Sequence, residues 1–357
     1  MVRFIIGAFC FTLIVIIAAW FTLKRSDIPF SSLEQRYSLS ASHFVTLESG
    51  ARVHYLDSGP TIGQYDPNKD TLLLLHGYTS NSSEWNEWLK ELRGRYRIIA
   101  VDLPMHGLTE SDMSYVETSN GMVNFIQDFT TAINLDHFSI GGTSLGGQIS
   151  WEYALTNPDR VNALILIGAD GWPLTENDVA FDPIVKDIQL NPWLAPVLKH
   201  FDMQTHIQAR LDKCFSDPSI TEQAMVKRLS DLARGPAHRK GLVKLALRKT
   251  SISLPTQFKD LKHPTLILHG EKDKIIPVRF AHEFNSAIPN STLITYEMSG
   301  HCLVIETPRR SLDDVLSFLE SVRKTHTNSK TQVLESSPPR AILNSNENSE
   351  TGSEAAN

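Results

Sequence analysis

Two rhythms of apolar and polar positions alternate along this chain. Short apolar runs at Thr71–Leu75, Arg97–Val101, Val161–Ile167 and Thr265–Leu268 have the length and composition of buried strands. Between them lie segments with helical spacing. Trp85–Leu92 is one; Met122, Phe125, Ile126, Phe129 and Ile133 give a second a single apolar face. Gln148–Leu155, closed by Asn157-Pro158, reads as a third, and Ala281–Ala287 and Leu303–Val322 as two more. His137–Ile140 and Thr292–Tyr296 read as further strands, and His43–Asp57 as two strands joined at Ser49-Gly50. Strands alternating with helices predict an α/β fold, a mostly parallel sheet with helices on both faces.

Three stretches break this rhythm. Trp172–Lys262 is far too long for a plain connection. It holds helix-like apolar segments around Ile184, Ile188 and Trp193-Leu194, with no convincing apolar strand, which predicts an inserted helical cap. Phe4–Leu23 carries no charge. As a helix it would span about 30 Å, the hydrocarbon thickness of a bilayer, with Trp20 at an interface. A cleaved signal peptide needs a shorter apolar core and a small-x-small site, and Ala18-Ala19-Trp20 is a poor one. The reading is therefore a single-pass anchor. Arg3 flanks it on one side and Lys24, Arg25 and Arg36 on the other, a bias that leans towards a cytoplasmic catalytic domain. From Thr325 the chain is polar and nearly free of aromatics, which predicts a disordered tail. The expected units are an anchor at 4–23, a core at 43–170 and 263–324, the cap at 171–262 and the tail at 325–357.

Composition narrows the function classes. Hydrophobic content of 41% and charge of 21% are ordinary for a globular protein, and a net charge of -6 gives no reason to expect nucleic acid. Cys10, Cys214 and Cys302 form neither a disulfide framework nor a metal-ligand spacing. The triplets at Asn81 and Asn290 would be glycosylation acceptors only in a luminal domain of a eukaryote.

The chemistry is carried by Gly142-Thr143-Ser144-Leu145-Gly146, which lies between a strand and a helix. Such a turn projects its serine at a strand end, beside a helix N-terminus that favours developing negative charge. Chance alone produces G-x-S-x-G in roughly one chain in ten of this length. A serine hydroxyl is a poor nucleophile near neutral pH and needs a base, itself held by an orienter. His301, in Ser299-Gly300-His301, follows the last predicted strand, and Asp273 follows the one before it. Asp170, after the strand ending at Ile167, is an alternative orienter. Oxyanion donors are expected from the backbone N–H groups of Leu145 and Tyr78.

These features resemble the α/β-hydrolase superfamily over His43–Lys324. The resemblance rests on His76-Gly77-Tyr78, on Asp102-Leu103-Pro104-Met105-His106-Gly107, on Gly142–Gly147 and on Gly300-His301. The second block departs from the usual pattern, with Met105 where glycine is common. Gly-Thr-Ser-Leu-Gly-Gly-Gln with an N-terminal apolar segment is similar to the membrane-anchored, monoacylglycerol-lipase-like serine hydrolases. That resemblance implies a Ser144–His301–Asp273 triad hydrolysing carboxylic esters through an acyl-enzyme, with a lipid ester as substrate and no metal or organic cofactor. Trp172, Phe181, Trp193 and Phe201 of the cap are candidates to line an acyl entrance. Two alternatives stand beside this reading. One is carbon–carbon bond hydrolysis or perhydrolysis with the same triad, where a cap residue such as Lys227, Arg228, Arg239 or Lys240 would meet an acid substrate. The other is a non-catalytic binding protein on the same fold, disfavoured because all three triad positions are filled. Epoxide hydrolases and dehalogenases use an aspartate nucleophile, which Ser144 opposes.

Overall fold

The computed structural model describes residues 2–59, 71–92, 94–118, 120–173, 200–247 and 255–336, with isolated positions between 173 and 200. Eight strands form one sheet: β1 (Ser42–Thr46), β2 (Arg52–Asp57), β3 (Thr71–Leu75), β4 (Arg97–Val101), β5 (Phe138–Thr143), β6 (Val161–Ile167), β7 (Thr265–Gly270) and β8 (Ser291–Tyr296). Their spatial order is β1-β2-β4-β3-β5-β6-β7-β8. The β1–β2 hairpin and the β2–β4 pair are antiparallel, and every other pair is parallel. The hairpin turns at Gly50, whose φ of +85° suits a residue without Cβ.

The unbroken apolar runs become strands buried on both faces. Leu73, Leu75, Ile99, Val101, Ile140, Leu164, Leu166 and Ile267 point into one core layer. Leu72, Leu74, Ile98, Ala100, Ala163, Ile165, Leu266 and Leu268 point into the other. This is the two-residue period of a strand with no solvent side. The first layer is covered by α5 (Gly121–Ala132), α6 (Leu145–Thr156) and α10 (Arg279–Ala287). The second is covered by α3 (Asn86–Leu92) and by α11 (Leu303–Glu306) and α12 (Pro308–Ser336).

Two sequence expectations change here. The single helix expected over 303–322 is two, broken at Thr307 (φ -132°, ψ 56°). Pro308 has no N–H and pushes the residue before it out of helical geometry, then serves as the first residue of α12. That helix then runs past Thr325 to Ser336, into the segment expected to be a disordered tail; residues 337–357 lie outside the described residues.

Between β6 and β7 the described regular structure is helical: α7 (Gln204–Cys214), α8 (Gln223–Ala233) and α9 (His238–Ala246). Phe181, Ile184 and Ile188 lie outside the described residues. Met105, with φ of 65°, packs its side chain on α9, where a Cβ on Gly241 would come within 2.1 Å of Met105 Cγ. The departure from glycine therefore trades backbone strain for a contact between this loop and α9.

At the N-terminus, α1 (Val2–Leu23) contains Phe4–Leu23, long and apolar enough to cross a membrane, with a mean hydropathy of 2.6 and no burial within the protein. The segment after it is tied to the helices between β6 and β7. Arg25 N–H donates to His200 O (2.9 Å) and Ile28 N–H to Arg234 O (2.8 Å). Arg234 donates in turn to Ser26 O (2.9 Å), and Arg239 to Arg25 O (2.8 Å) and Asp27 (2.5 Å). Tyr37 O–H, at the end of α2 (Phe30–Tyr37), donates to Asp231 (2.6 Å).

The seat of α6 on the sheet is the tightest contact near the elbow. A Cβ on Gly146 would lie 2.2 Å from Leu75 O, and one on Gly142 would lie 2.6 Å from the same oxygen. Gly146→Ala is expected to destabilise the protein by about 2 kcal/mol or more, because the methyl meets backbone that cannot step aside. Thermal and denaturant unfolding of the full chain in detergent measure this; a change within about 0.5 kcal/mol would refute the close seat.

Candidate active site

Ser144 sits between β5 and α6 with φ 52° and ψ -116°, a conformation strained for a residue with a side chain. The surroundings hold it there. Its N–H donates to Ile167 O (3.0 Å), and its carbonyl accepts from Gln148 N–H (3.0 Å) and Asp170 N–H (3.1 Å). The glycines beside it let the turn close against β3. The side chain is thus fixed at the carboxyl end of the sheet, at the first turn of a helix.

His301 and Asp273 arrive from the ends of β8 and β7. Asp273 Oδ2 lies 2.7 Å from His301 Nδ1. The same carboxylate accepts from Ile275 N–H (2.7 Å) and Ile276 N–H (2.8 Å), and His269 Nε2 lies 3.3 Å away. Burial alone would raise the Asp273 pKa, but His301 and these hydrogen bonds outweigh it and hold the carboxyl well below its usual range. Burial alone would lower the His301 pKa, but the Asp273 charge and hydrogen bond outweigh it and raise it. With Nδ1 committed to Asp273, His301 Nε2 is buried and has no hydrogen-bond partner. Ser144 and His301 line one cavity of about 210 Å³, without a hydrogen bond drawn between them. Asp170 is placed otherwise. Its carboxylate accepts from Gly171 N–H (2.7 Å), and its backbone carbonyl accepts from Trp151 Nε1–H (3.1 Å).

The loop carrying Tyr78 runs beside the serine: a Cβ on Gly77 would stand 3.4 Å from Ser144 Cβ. Tyr78 O–H donates to Leu242 O (2.9 Å), tying that loop to α9. Leu145 is the first residue of α6, so its N–H points out of the helix start. Two buried histidines brace the loop. His76 Nε2 accepts from Leu103 N–H (3.0 Å) and His106 Nε2 from Thr79 N–H (3.2 Å). Both rings therefore carry their proton on Nδ1, which donates to Gly77 O (2.8 Å) and Pro104 O (2.9 Å).

Asp102 is the hub of the second motif block. It accepts from Ser82 N–H (2.7 Å) and Leu108 N–H (2.8 Å), and lies 2.7 Å from His54 Nδ1. His54 Nε2 lies 2.8 Å from Ser42 Oγ. Ser42, His54 and Asp102 thus repeat the connectivity of Ser-His-Asp, but none of them lines the cavity of Ser144. Burial opposes ionisation of Asp102, yet His54 and the Leu108 N–H hold its carboxyl far below the usual range.

The cavity has two kinds of wall. Ser80, Ser83, Glu84, Thr143 and Arg210 supply a polar one; Leu211, Met225, Leu229, Val304 and Ile305 supply an apolar one. Trp172, Trp193 and Phe201, expected at an acyl entrance, do not line it. Trp172 stacks on Phe258 at 5.2 Å, Trp193 is exposed, and Phe201 packs edge-on against Trp20. Trp172 and Phe201 are taken up by packing between neighbouring elements, and the cavity wall is left to smaller aliphatic side chains.

Sequence reading missed several residues here. Glu84 accepts from Thr143 Oγ1 (2.5 Å) and from Ser80 Oγ. Burial pushes its carboxyl up against the pull of the Ser80 and Thr143 hydroxyls and the Arg210 charge. Glu306 accepts from Gly300 N–H and Ser216 N–H, both at 2.5 Å, and so joins the His301 loop to the end of α7. Cys302 N–H donates to Cys214 O (3.1 Å) alongside. Glu84 with Thr143, Glu306 with Ser216 and Cys302 with Cys214 meet across the fold, where no spacing in the sequence signals them, while Ser80 and Gly300 are near neighbours of Glu84 and Glu306 along the chain.

Comparison with known proteins identifies the fold. The family profile described as the alpha/beta hydrolase fold matches residues 70–308. Among curated relatives, the human monoacylglycerol lipase ABHD6 is 27% identical over 268 residues, 74% of this chain and 79% of that protein. The uncharacterized hydrolase YugF of Bacillus subtilis (strain 168) is 22% identical over 256 residues, 71% of this chain and 92% of the other. Among solved structures, a membrane phospholipase A described as a bacterial virulence factor superposes with a TM-score of 0.66 at 22% identity, covering 90% of this chain and 99% of that one. With its profile match, its eight-stranded mostly parallel sheet and its serine at the strand–helix elbow, the chain belongs to the alpha/beta hydrolase fold family.

Proposed function

We propose that this hydrolase cleaves lipophilic carboxylic esters through an acyl-enzyme on Ser144. The observation that carries the proposal is His301 bound to Asp273 through Nδ1 at 2.7 Å, with Nε2 left open in the cavity it shares with Ser144. His301 Nε2 takes the Ser144 proton as Oγ attacks the ester carbonyl, then gives it to the departing alcohol. Asp273 fixes the tautomer and offsets the imidazolium charge. The N–H groups of Tyr78 and Leu145 hold the oxyanion. Water, deprotonated by His301, then releases the acid and frees the serine. No step calls on a metal or an organic cofactor.

The two-sided cavity supports an amphiphilic substrate. An acyl chain suits Leu211, Met225, Leu229 and Ile305, and a hydroxylated head group suits Ser80, Glu84 and Thr143. A lipid ester of the monoacylglycerol kind has that shape. The name of the ABHD6 relative, a monoacylglycerol lipase, points the same way. Phe4–Leu23 would hold the enzyme on a bilayer as a single-pass anchor, and the contacts of residues 25–28 with the cap helices would keep the cavity near the lipid surface.

A fluorophosphonate probe is expected to label the wild type and not Ser144→Ala. A p-nitrophenyl ester series should then show higher kcat/KM for medium or long acyl chains than for acetate. Absence of labelling in folded wild type would overturn the proposal, and a preference for acetate would overturn its lipid part.

The base also sets a pH dependence. His301 must be neutral to accept the serine proton, and its pKa is raised above the ordinary value near 6.5. Activity should therefore climb with pH through that raised value and be lost below it. Asp273→Asn removes the charge that raises it. The inflection should move to lower pH, with kcat falling by about 10³- to 10⁴-fold. An unmoved inflection in a pH series of kcat/KM for the two proteins would exclude His301 as the base.

A further inference from the structure

Arg228 has no place in the chemistry above, yet its side chain lines the same cavity as Ser144 and His301. It projects from α8, the helix that also presents Met225 and Leu229 to that space. Its Nε is buried and without a hydrogen-bond partner. Guanidinium groups withdrawn from water are normally matched by a carboxylate or phosphate, because each unsatisfied donor carries a desolvation penalty.

The acidic groups around it do not supply that match. Asp231, one turn further along α8, is engaged by Lys227 (2.6 Å), Arg36 (3.7 Å) and Tyr37 O–H. Glu87, on the cavity rim, pairs with Lys90 (2.6 Å). Glu84 accepts from Thr143 and Ser80, and burial favours its neutral form. Tyr37 and Glu222 act on Arg228 only through their fields; the Tyr37 hydroxyl is bonded to Asp231, and Glu222 is exposed at the start of α8. Arg210, buried in the same lining, has interactions of its own and acts on Glu84 through its charge, which leaves Arg228 as the cation considered for a substrate anion. Burial pushes the Arg228 pKa down from its ordinary value, and a guanidinium starting so high stays charged at neutral pH.

We infer that Arg228 is a specificity-determining residue that binds an oxyanion carried by the substrate, so that the preferred ester bears a phosphate or carboxylate besides its scissile bond. This rests on the ester-hydrolase reading of Ser144 and names the substrate class within it. The planar fork of the guanidinium takes either anion in two parallel hydrogen bonds, and an ammonium cannot reproduce that geometry. A phosphate would sit on the alcohol portion, as in a monoacylglycerol phosphate. A carboxylate would sit at the far end of the acyl portion, as in a half-ester of a dicarboxylic acid.

The test uses full-length enzyme in detergent with two matched substrate pairs. One pair is a monoacylglycerol phosphate and the neutral monoacylglycerol of the same chain. The other is a p-nitrophenyl half-ester of a dicarboxylic acid and the p-nitrophenyl alkanoate of equal length. In wild type the anionic member of at least one pair should show a kcat/KM at least tenfold higher, and the pair that does so identifies the source of the anion. In Arg228→Met that ratio should fall to about one, chiefly through KM, and Arg228→Lys should recover only part of it. A neutral preference in both pairs, or a ratio unchanged in Arg228→Met, overturns the assignment. Cleavage of the neutral esters with no anionic preference would leave the hydrolase reading intact and sink this one alone. Failure to cleave any ester, with no fluorophosphonate labelling, would sink both.

Discussion

The close seat of α6 on the end of β3 is the constraint on which the rest of this structure depends. Gly142 and Gly146 both approach Leu75 O so nearly that no side chain fits, and Gly147 meets Ala169 in the same way. The helix start is thereby drawn down onto the sheet, and the residue between strand and helix is forced to a φ of 52°. Strain at Ser144 follows from the packing around it. So does its direction, out of the carboxyl edge of the sheet towards the loops that bring His301 and Asp273. A helix seated a methyl group further out would relax the serine and aim it elsewhere.

Around that elbow the loops are held by buried polar groups with assigned partners. His76 and His106 accept backbone N–H groups on one ring nitrogen and donate to carbonyls with the other. Asp102 gathers two N–H groups and a histidine at the base of the same loops. Satisfied networks of this kind gain rigidity from the low dielectric that would penalise any missing partner. They explain how a loop segment can present backbone donors beside Ser144 without drifting. The Ser42–His54–Asp102 array belongs to this bracing: its carboxylate is already spent on backbone donors of the loops it holds.

The helices between β6 and β7 connect the chemistry to the N-terminal segment. Glu306 and Gly300 join the His301 loop to the end of α7, while Arg234 and Arg239 hold the backbone of residues 25 and 26. The cavity of Ser144 and His301 has one polar and one apolar wall, the apolar one drawn partly from these helices.

The sequence by itself determined the parts of this protein that are local. Apolar runs of strand length gave the sheet, because a strand buried on both faces has no polar positions to spare. Glycines at 142, 146 and 147 gave the elbow, because only glycine tolerates that approach. Pro308 carried a local signal that the reading of 303–322 as one helix passed over: the missing N–H and the restriction on Thr307 break the helix there. The tertiary structure decided what depends on distant partners. It chose Asp273 over Asp170 as the neighbour of His301, since both follow strands and only the fold says which carboxylate faces the ring. It set Trp172 and Phe201 to packing, left Trp193 exposed, and gave the cavity Leu211, Met225 and Leu229. It brought Glu84, Glu306 and Arg228 to the site from segments with no local mark, because burial and charge pairing across a fold are properties of three-dimensional neighbours and leave no period in the chain.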